Sequence, residues 1–333
     1  MTDAPDRLPH VSVVIAARDS AATLPACLTS LRALDYPSFD VIVADDGSRD
    51  ETAVVARRHG AIVVETGGVG PSAARNAGVA RSSAPVVAFT DADCTVTPQW
   101  LRALVEALER PGAGAAGGPQ LNVFRHPESG VNAAIDGFLR LSSAVADYTR
   151  RGGEAREVTH NASCNSAYRR SAFEAVGGFR VGLWPAEDVD LDHRLRAAGH
   201  RCYYAPAALV THHRPGGQRW FARMMRRYGR SQGQLVRTHG VVRPVQAIPF
   251  LLVLAGASPL LLWPAATRPI VLAIDLAAVS LATAWYAWTI PPRLWLSVAR
   301  VAVRALVEWH LGFAAGLALG LRAPSPAVRQ RSR

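Results

Sequence analysis

The chain has 333 residues, enough for about two structural units and a large buried core. All 37 of its basic residues are arginine, set against 26 acids for a net charge of +11. The lack of lysine excludes a P-loop lysine, a pyridoxal phosphate Schiff base and a Schiff-base aldolase, each of which needs an amine.

At the N-terminus, Asp3 and Asp6 stand where a secretory signal would be positive, and the apolar run 11–17 stops at Arg18-Asp19. No signal peptide is expected, and the first domain is expected to stay in the cytoplasm. The pattern then predicts strands at 11–17, 41–44, 62–65 and 86–90, alternating with helices at 22–34, 51–59, 72–81 and 98–109. Such alternation implies a largely parallel sheet with helices on both faces, whose ligands bind beyond the carboxyl ends of the strands. Cys27, Cys94, Cys164 and Cys202 form no C-x-x-C pair, and buried, reduced thiols are the expectation.

The predicted strand ends carry the chemistry. Strand 41–44 runs into Asp45-Asp46-Gly47-Ser48, with Asp50 placed to cap the next helix. Two adjacent aspartates repel and call for a ligand or metal to hold them. Strand 86–90 runs into Asp91-Ala92-Asp93, where alternation sends both carboxylates to one side, a donor set suited to Mg²⁺ or Mn²⁺ shared with a diphosphate. Between them, Arg75 follows a turn into a helix and suits a phosphate or a base. Further on come His160-Asn161, Cys164-Asn165, Gly177-Gly178-Phe179 and the acids Glu187, Asp188, Asp190 and Asp192. On a helix Glu187, Asp190 and Arg194 share one face, a charged surface in the plain reading, while Asp188 turns with Leu191 and Leu195 toward the domain body and becomes a candidate general base. A strand at 208–211 is expected, with His212 and His213 just after it as further metal ligands.

Residues 1–200 hold 20 arginines and 24 acids, whereas residues 201–333 hold 17 arginines and only Asp275 and Glu308. A basic, acid-poor half attracts anionic lipid or nucleic acid, and hydropathy selects lipid. Stretches 245–264 and 269–290 each reach the roughly 20 apolar residues that cross a bilayer. A third stretch, 294–321, carries Arg300, Arg304 and Glu308 on one helical face and reads as an interfacial helix; the arginine-rich tail 323–333 fits the cytoplasmic side after two spans. Within segment 214–243, residues 218–230 place Trp220, Phe221, Met224, Met225 and Tyr228 at helical spacing among five arginines, a basic amphipathic helix for the surface of an anionic membrane.

Taken in order, these motifs over residues 10–213 resemble family 2 glycosyltransferases. The resemblance implies a GT-A fold, a Rossmann-like mixed α/β sheet, here with a C-terminal transmembrane helical segment over 244–322. It implies an inverting transfer of one sugar from a nucleotide-diphospho-sugar, with Ala16, Arg18, Asp46 and Arg75 lining the nucleotide site. Asp91 and Asp93 would hold ribose and metal, Asn165 would join the donor site, and Asp188, with Glu187 beside it, would supply the base. Mg²⁺ or Mn²⁺ is the expected cofactor. The expected setting is the cytoplasmic face of the inner membrane, with a lipid-linked or cell-envelope acceptor and no nucleic acid. Two departures stand out. Ala16 replaces a frequent proline, and Gln218-Arg219-Trp220 lacks the Q-x-x-R-W spacing of processive members, which leaves single-sugar addition. The rivals are a catalytically silent membrane scaffold that binds sugar nucleotide or lipid, and a nucleotidyltransferase, whose lysine-containing loop is missing.

Overall fold

The computed structural model describes residues 8–126, 129–143, 153–243, 246–247 and 295–319. They fall into two compact units. The first, built from residues up to 125 and from 142 to 215, begins with β1 (Val11–Ala17), α1 (Leu24–Arg32), β2 (Phe39–Asp45), α2 (Thr52–Arg58), β3 (Ile62–Glu65), α3 (Pro71–Arg81) and β4 (Val86–Asp91). Then come β5 (Cys94–Val96), α4 (Trp100–Leu108), β6 (Ala113–Gly117) and β7 (Gln120–Phe124). After α5 (Gly130–Ser143), most of which belongs to the second unit, follow β8 (Arg156–Val158), β9 (Asn165–Arg169), α6 (Arg170–Ala175), α7 (Glu187–Ala197), β10 (Arg201–Tyr204) and β11 (Val210–Arg214).

Eight strands form one sheet in the order β3-β2-β1-β4-β9-β6-β10-β8. The half from β3 to β4 is parallel throughout, as the strand–helix alternation predicts. Beyond β4 the sheet is mixed, because β9 runs antiparallel to both β4 and β6. A second sheet, β5-β11-β7, lies in the same unit.

β1 is an apolar run because both faces are covered. Val11, Val13, Ile15 and Ala17 pack with Leu24, Leu28 and Leu31 of α1 and with Trp100 and Leu104 of α4. Val14 faces the other way, into a group with Val87, Phe89, Tyr168, Phe173 and Phe179. The rings of Phe89 and Phe179 meet edge to face with centroids 5.0 Å apart, a favoured aromatic geometry. Gly78 brings α3 down onto β1: a Cβ there would stand 2.5 Å from Val14 Cγ1. The result is a row of strand ends in register, Ala17 beside Asp45 and Ala16 beside Asp91.

The second unit holds residues 130–141 of α5 together with α8 (Gln218–His239) and α9 (Trp295–Leu319). α8 and α9 lie parallel along a glycine seam. A Cβ on Gly229 would meet Trp309 O at 1.9 Å, and one on Gly233 would meet Phe313 O at 2.2 Å; Gly312 and Gly316 face Arg226 O and Arg230 O at 2.1 and 2.0 Å. Arg226 Nε donates to Glu308 at 2.5 Å, and Arg237 Nη1 donates to the carbonyls of Leu317 and Ala318, which the end of α9 leaves open. Phe221 of α8 is buried against Phe138 of α5.

α9 is the one helix among the described residues that is long and apolar enough to cross a membrane, over Leu296–Leu319. Arg300 and Arg304 are exposed, whereas Glu308, on the same side of the helix, turns into the α8 seam at 6% exposure. The expected spans 245–264 and 269–290, apart from 246 and 247, and the tail 323–333 lie outside the described residues.

Candidate active site

The carboxyl ends of β1, β2 and β4 converge with the N-terminus of α7. β4 ends at Asp91, and the chain turns through Ala92 and Asp93 into β5. The expectation of one extended segment is therefore corrected: the turn separates the two carboxylates and gives them different partners. Asp91 Oδ1 accepts from Arg75 Nη2 at 2.7 Å, while Arg75 Nη1 donates to Glu187 Oε1, also at 2.7 Å. Arg75 is 3% exposed, and its guanidinium lies 5.6 Å from the centroid of the Phe179 ring. A buried arginine with two carboxylates stays charged, and it joins the β4 end to the α7 N-terminus.

Asp93 pairs with His212, whose Nε2 stands 3.1 Å from Asp93 Oδ1. Although burial opposes its charge, the hydrogen bond from His212 and the nearby Arg214 hold the Asp93 carboxyl below its ordinary range. Burial and Arg214 pull the His212 imidazole down, but its hydrogen bonds to Asp93 and Cys164 win and bring it to about 9. β11 spans Val210–Arg214, so both histidines lie within the strand and not after it. Strand alternation then separates them: His212 is buried beside Asp93, while His213 is exposed and meets Thr95 at 3.0 Å.

The acids of α7 divide into two pairs. Contrary to the surface-face expectation for Glu187 and Asp190, all four are buried. Asp190 holds Arg180 and Arg194, and Arg194 in turn donates to the carbonyls of Val176 and Gly178, fixing the Gly177-Gly178-Phe179 turn. Asp192 accepts from the Asn161 N–H at 2.7 Å and from the Tyr168 hydroxyl at 3.2 Å, and meets His160. Burial pushes its carboxyl upward. Glu187 and Asp188 are the site pair. Glu187 is 1% exposed; burial, then the charge of Asp188, push its carboxyl up to about 8 against the pull of Arg75. Asp188 is 9% exposed, with its two oxygens accepting from the N–H groups of Val189 and Ser163.

At the other end of the row, Asp46 is 3% exposed and fully engaged: it accepts from Thr66 Oγ1, from Val69 N at 2.7 Å and from Gly70 N at 2.8 Å. It thereby shapes the turn that starts α3. Asp45 accepts from the N–H and hydroxyl of Ser48, and Asp50 accepts from Thr52 N and Ala21 N. Ala16 is half-buried between Ala44 and Asp91, and Arg18 is exposed, near Gly68. Asn165 is placed differently from the expectation of a donor contact. It is fully buried, its amide donates to Pro119 O and Ala208 O, and it accepts from the Trp100 indole at 2.7 Å. Its hydrogen bonds are spent on holding the floor of the site together.

Two groups at the site escape a linear reading. Cys94 and Cys164 are free and buried as expected, yet the fold brings both thiols to Asp91 and His212. Burial raises the Cys94 thiol well above its ordinary value, whereas the hydrogen bond from Cys94, then His212, lowers Cys164 to about 6. The available signal was adjacency, since Cys94 follows Asp93 and Cys164 precedes Asn165. Ser163, whose hydroxyl lies 3.2 Å from Glu187 Oε1, was likewise missed.

The model of "Glycosyl transferase family 2" matches residues 12–177. "Glycosyltransferase AglE" of Haloferax volcanii is 31% identical over 63% of this chain and 69% of its own length. The "Pre-mycofactocin glycosyltransferase" of Mycobacterium tuberculosis is 34% identical over 69% of this chain, which spans 48% of that relative's length. Among solved structures, a mannosyltransferase of Pyrobaculum calidifontis, in complex with GDP-Man and Mn²⁺, matches in fold with a TM-score of 0.57 and 23% identity, covering 91% of this chain and 88% of its own. The chain belongs to glycosyl transferase family 2.

Proposed function

We propose that this protein transfers a single sugar, with inversion, from a nucleotide-diphospho-sugar to a lipid-linked or cell-envelope acceptor at the cytoplasmic face of the inner membrane. The observation that carries the reading is Arg75, which links Asp91 at the end of β4 to Glu187 at the start of α7 and so sets Asp188 beside the strand ends. Asp188 takes the proton of the acceptor hydroxyl, the oxygen bonds to the anomeric carbon, and the bond to the diphosphate breaks with its electrons passing to the leaving group. Glu187 is the weaker candidate for base, because it is more deeply buried and tied to Arg75. Ala16, Arg18 and Asp46 would face the nucleotide, with Arg75 behind Asp91.

The donor set fits a hard divalent ion. Asp93 is about a third exposed beside His212, and Asp91 keeps a 27% exposed side chain despite its bond to Arg75. Mg²⁺ or Mn²⁺ held by Asp93 with Asp91 and His212 would neutralise charge on the departing diphosphate. His213 faces away from this set, which leaves His212 as the histidine ligand.

The membrane setting is supported by α8 and α9 together. Arg219, Arg223 and Arg226 are exposed on α8, and Leu296, Val303, Leu306, Val307 and Leu311 are exposed on α9. The glycine seam keeps the two helices side by side, and a helix with this many arginines resists crossing a bilayer. Both therefore lie along the anionic surface, apolar side down.

The test is thermal stabilisation by UDP-, GDP- and dTDP-sugars with Mn²⁺, followed by radiolabelled sugar transfer to extracted lipid. Donor-specific stabilisation with transfer is expected. Stabilisation without transfer makes the chain a binding scaffold, and pyrophosphate release makes it a nucleotidyltransferase. For the membrane, binding to anionic but not neutral vesicles, reversed by salt, is expected; equal binding to both overturns the electrostatic part.

A further inference from the structure

Cys94 opens β5, Cys164 directly precedes β9 and His212 lies within β11, three segments far apart in sequence. One ligand atom from each of these residues and from Asp91 lies within 4.8 Å of the others. Three of the four are nearly closed to solvent: Cys94 is 0%, Cys164 5% and His212 8% exposed. Gln120 touches two of them, its Oε1 3.2 Å from Cys164 Sγ and its Nε2 3.3 Å from His212 Nδ1.

Two buried thiols alone would be packing. An imidazole and a carboxylate within the same few ångströms make a set with a coordination chemistry. Tetrahedral Zn²⁺, with bonds of about 2.3 Å to sulfur and about 2.0–2.2 Å to nitrogen and oxygen, places its ligand atoms roughly 3.3–3.8 Å apart. Side-chain shifts of about an ångström would draw the four atoms into that sphere. Hard ions such as Mg²⁺ do not select sulfur, whereas borderline-soft ions do. With its amide turned over, Gln120 would accept the Nδ1–H of a metal-bound His212 and donate to the Cys164 thiolate, orienting both ligands from outside the first sphere.

We propose that Asp91, Cys94, Cys164 and His212 form a thiophilic cation site that takes Zn²⁺ or an ion of similar softness. The site shares Asp91 and His212 with the hard-ion set described above. Zn²⁺ on the sulfurs and Mn²⁺ on the donor diphosphate therefore exclude each other, and a thiophilic ion acts as a competitive block. The exclusion rests on the proposed function; the binding through sulfur does not.

The test uses the full, reduced chain titrated with Co²⁺. A sulfur-to-cobalt charge-transfer band in the near ultraviolet is expected, bleached by equimolar Zn²⁺ and untouched by excess Mg²⁺. The band should be lost in the Cys94→Ser, Cys164→Ser double variant and kept in Cys202→Ser, whose thiol lies on β10. Cobalt binding without the band, or a band that survives in the double variant, overturns the proposal. Should the double variant fail to fold, zinc-edge X-ray absorption on the unaltered chain decides: sulfur neighbours at about 2.3 Å are expected, and a shell of nitrogen and oxygen alone overturns the site. Sulfur-bound Zn²⁺ in a chain without Mn²⁺-dependent donor binding would sink the hard-ion reading and leave this one standing.

Discussion

His212 Nε2 lies 3.1 Å from Asp93 Oδ1, joining the turn after β4 to the middle strand of the smaller sheet. The pair holds a proton where the hard ion would sit. Asp93→Ala should keep the fold, because the carboxylate is about a third exposed at a strand end, while donor binding loses its Mn²⁺ dependence. The check is nucleotide-sugar affinity by calorimetry with and without Mn²⁺. A variant as Mn²⁺-dependent as the parent would remove Asp93 from the metal set.

Asp188→Asn should bind donor as the parent does and lose about 10²–10⁴-fold in turnover, the usual contribution of a positioned base. Glu187→Gln disturbs the Arg75 bridge and should weaken donor binding together with turnover. Steady-state kinetics separates the two. If the Glu187 variant alone shows a pure turnover loss, the base is Glu187.

Glu187 also makes a prediction in pH. Its carboxyl rises from 4.5 to about 8 on burial beside Asp188, so the folded chain holds a proton that the unfolded chain releases. Stability should therefore fall as pH rises through that window, and Glu187→Gln should flatten the fall. Thermal melting across the interval measures it, and parallel curves for parent and variant would contradict the assignment.

Asn165→Ala should destabilise by at least about 1–3 kcal/mol, since the buried Trp100 indole N–H loses its acceptor. Urea unfolding at constant slope is the measurement. A stable variant with weakened donor binding would instead return Asn165 to the donor.

Gly312→Ala should cost about 1–3 kcal/mol through overpacking, because the added carbon would stand 2.1 Å from Arg226 O. The helical preference for alanine works in the opposite direction by about 1 kcal/mol. Ala314→Gly, at an exposed position of the same helix, isolates the helical preference, and thermal melting compares the two; a Gly312→Ala variant as stable as the parent would contradict the overpacking.

The parallel half of the sheet was legible because both its faces are covered: β1 appears as an uninterrupted apolar run, and its predicted limits match Val11–Ala17. β6, Ala113–Gly117, carries only alanine and glycine, which have low strand propensity, and gave no signal although all five residues are buried. β11 is Val-Thr-His-His-Arg, so polar that its extent was underestimated and its histidines were placed beyond it. The positions of Asp46, Asp91 and Asp188 at strand or helix ends, and of Arg75 shortly after the turn into a helix, were legible. Their division of labour was not, because it depends on contacts between distant segments. Arg75 meeting Glu187, and Cys94 meeting Cys164, are products of the fold with no local period behind them.

The carboxylate of Asp46 grips the turn that opens α3, and α3 carries Arg75 and Asn76 one turn further along. Asn76 in turn clasps the main chain of Phe179, accepting from its N–H and donating to its carbonyl. One short helix thus spans the site: its start is tied to Asp46 at the end of β2, and its middle carries the guanidinium held between Asp91 and Glu187. Gly78 seats the same helix on Val14 of β1, so the spacing between the two ends of the row of carboxylates is set by the backbone of α3.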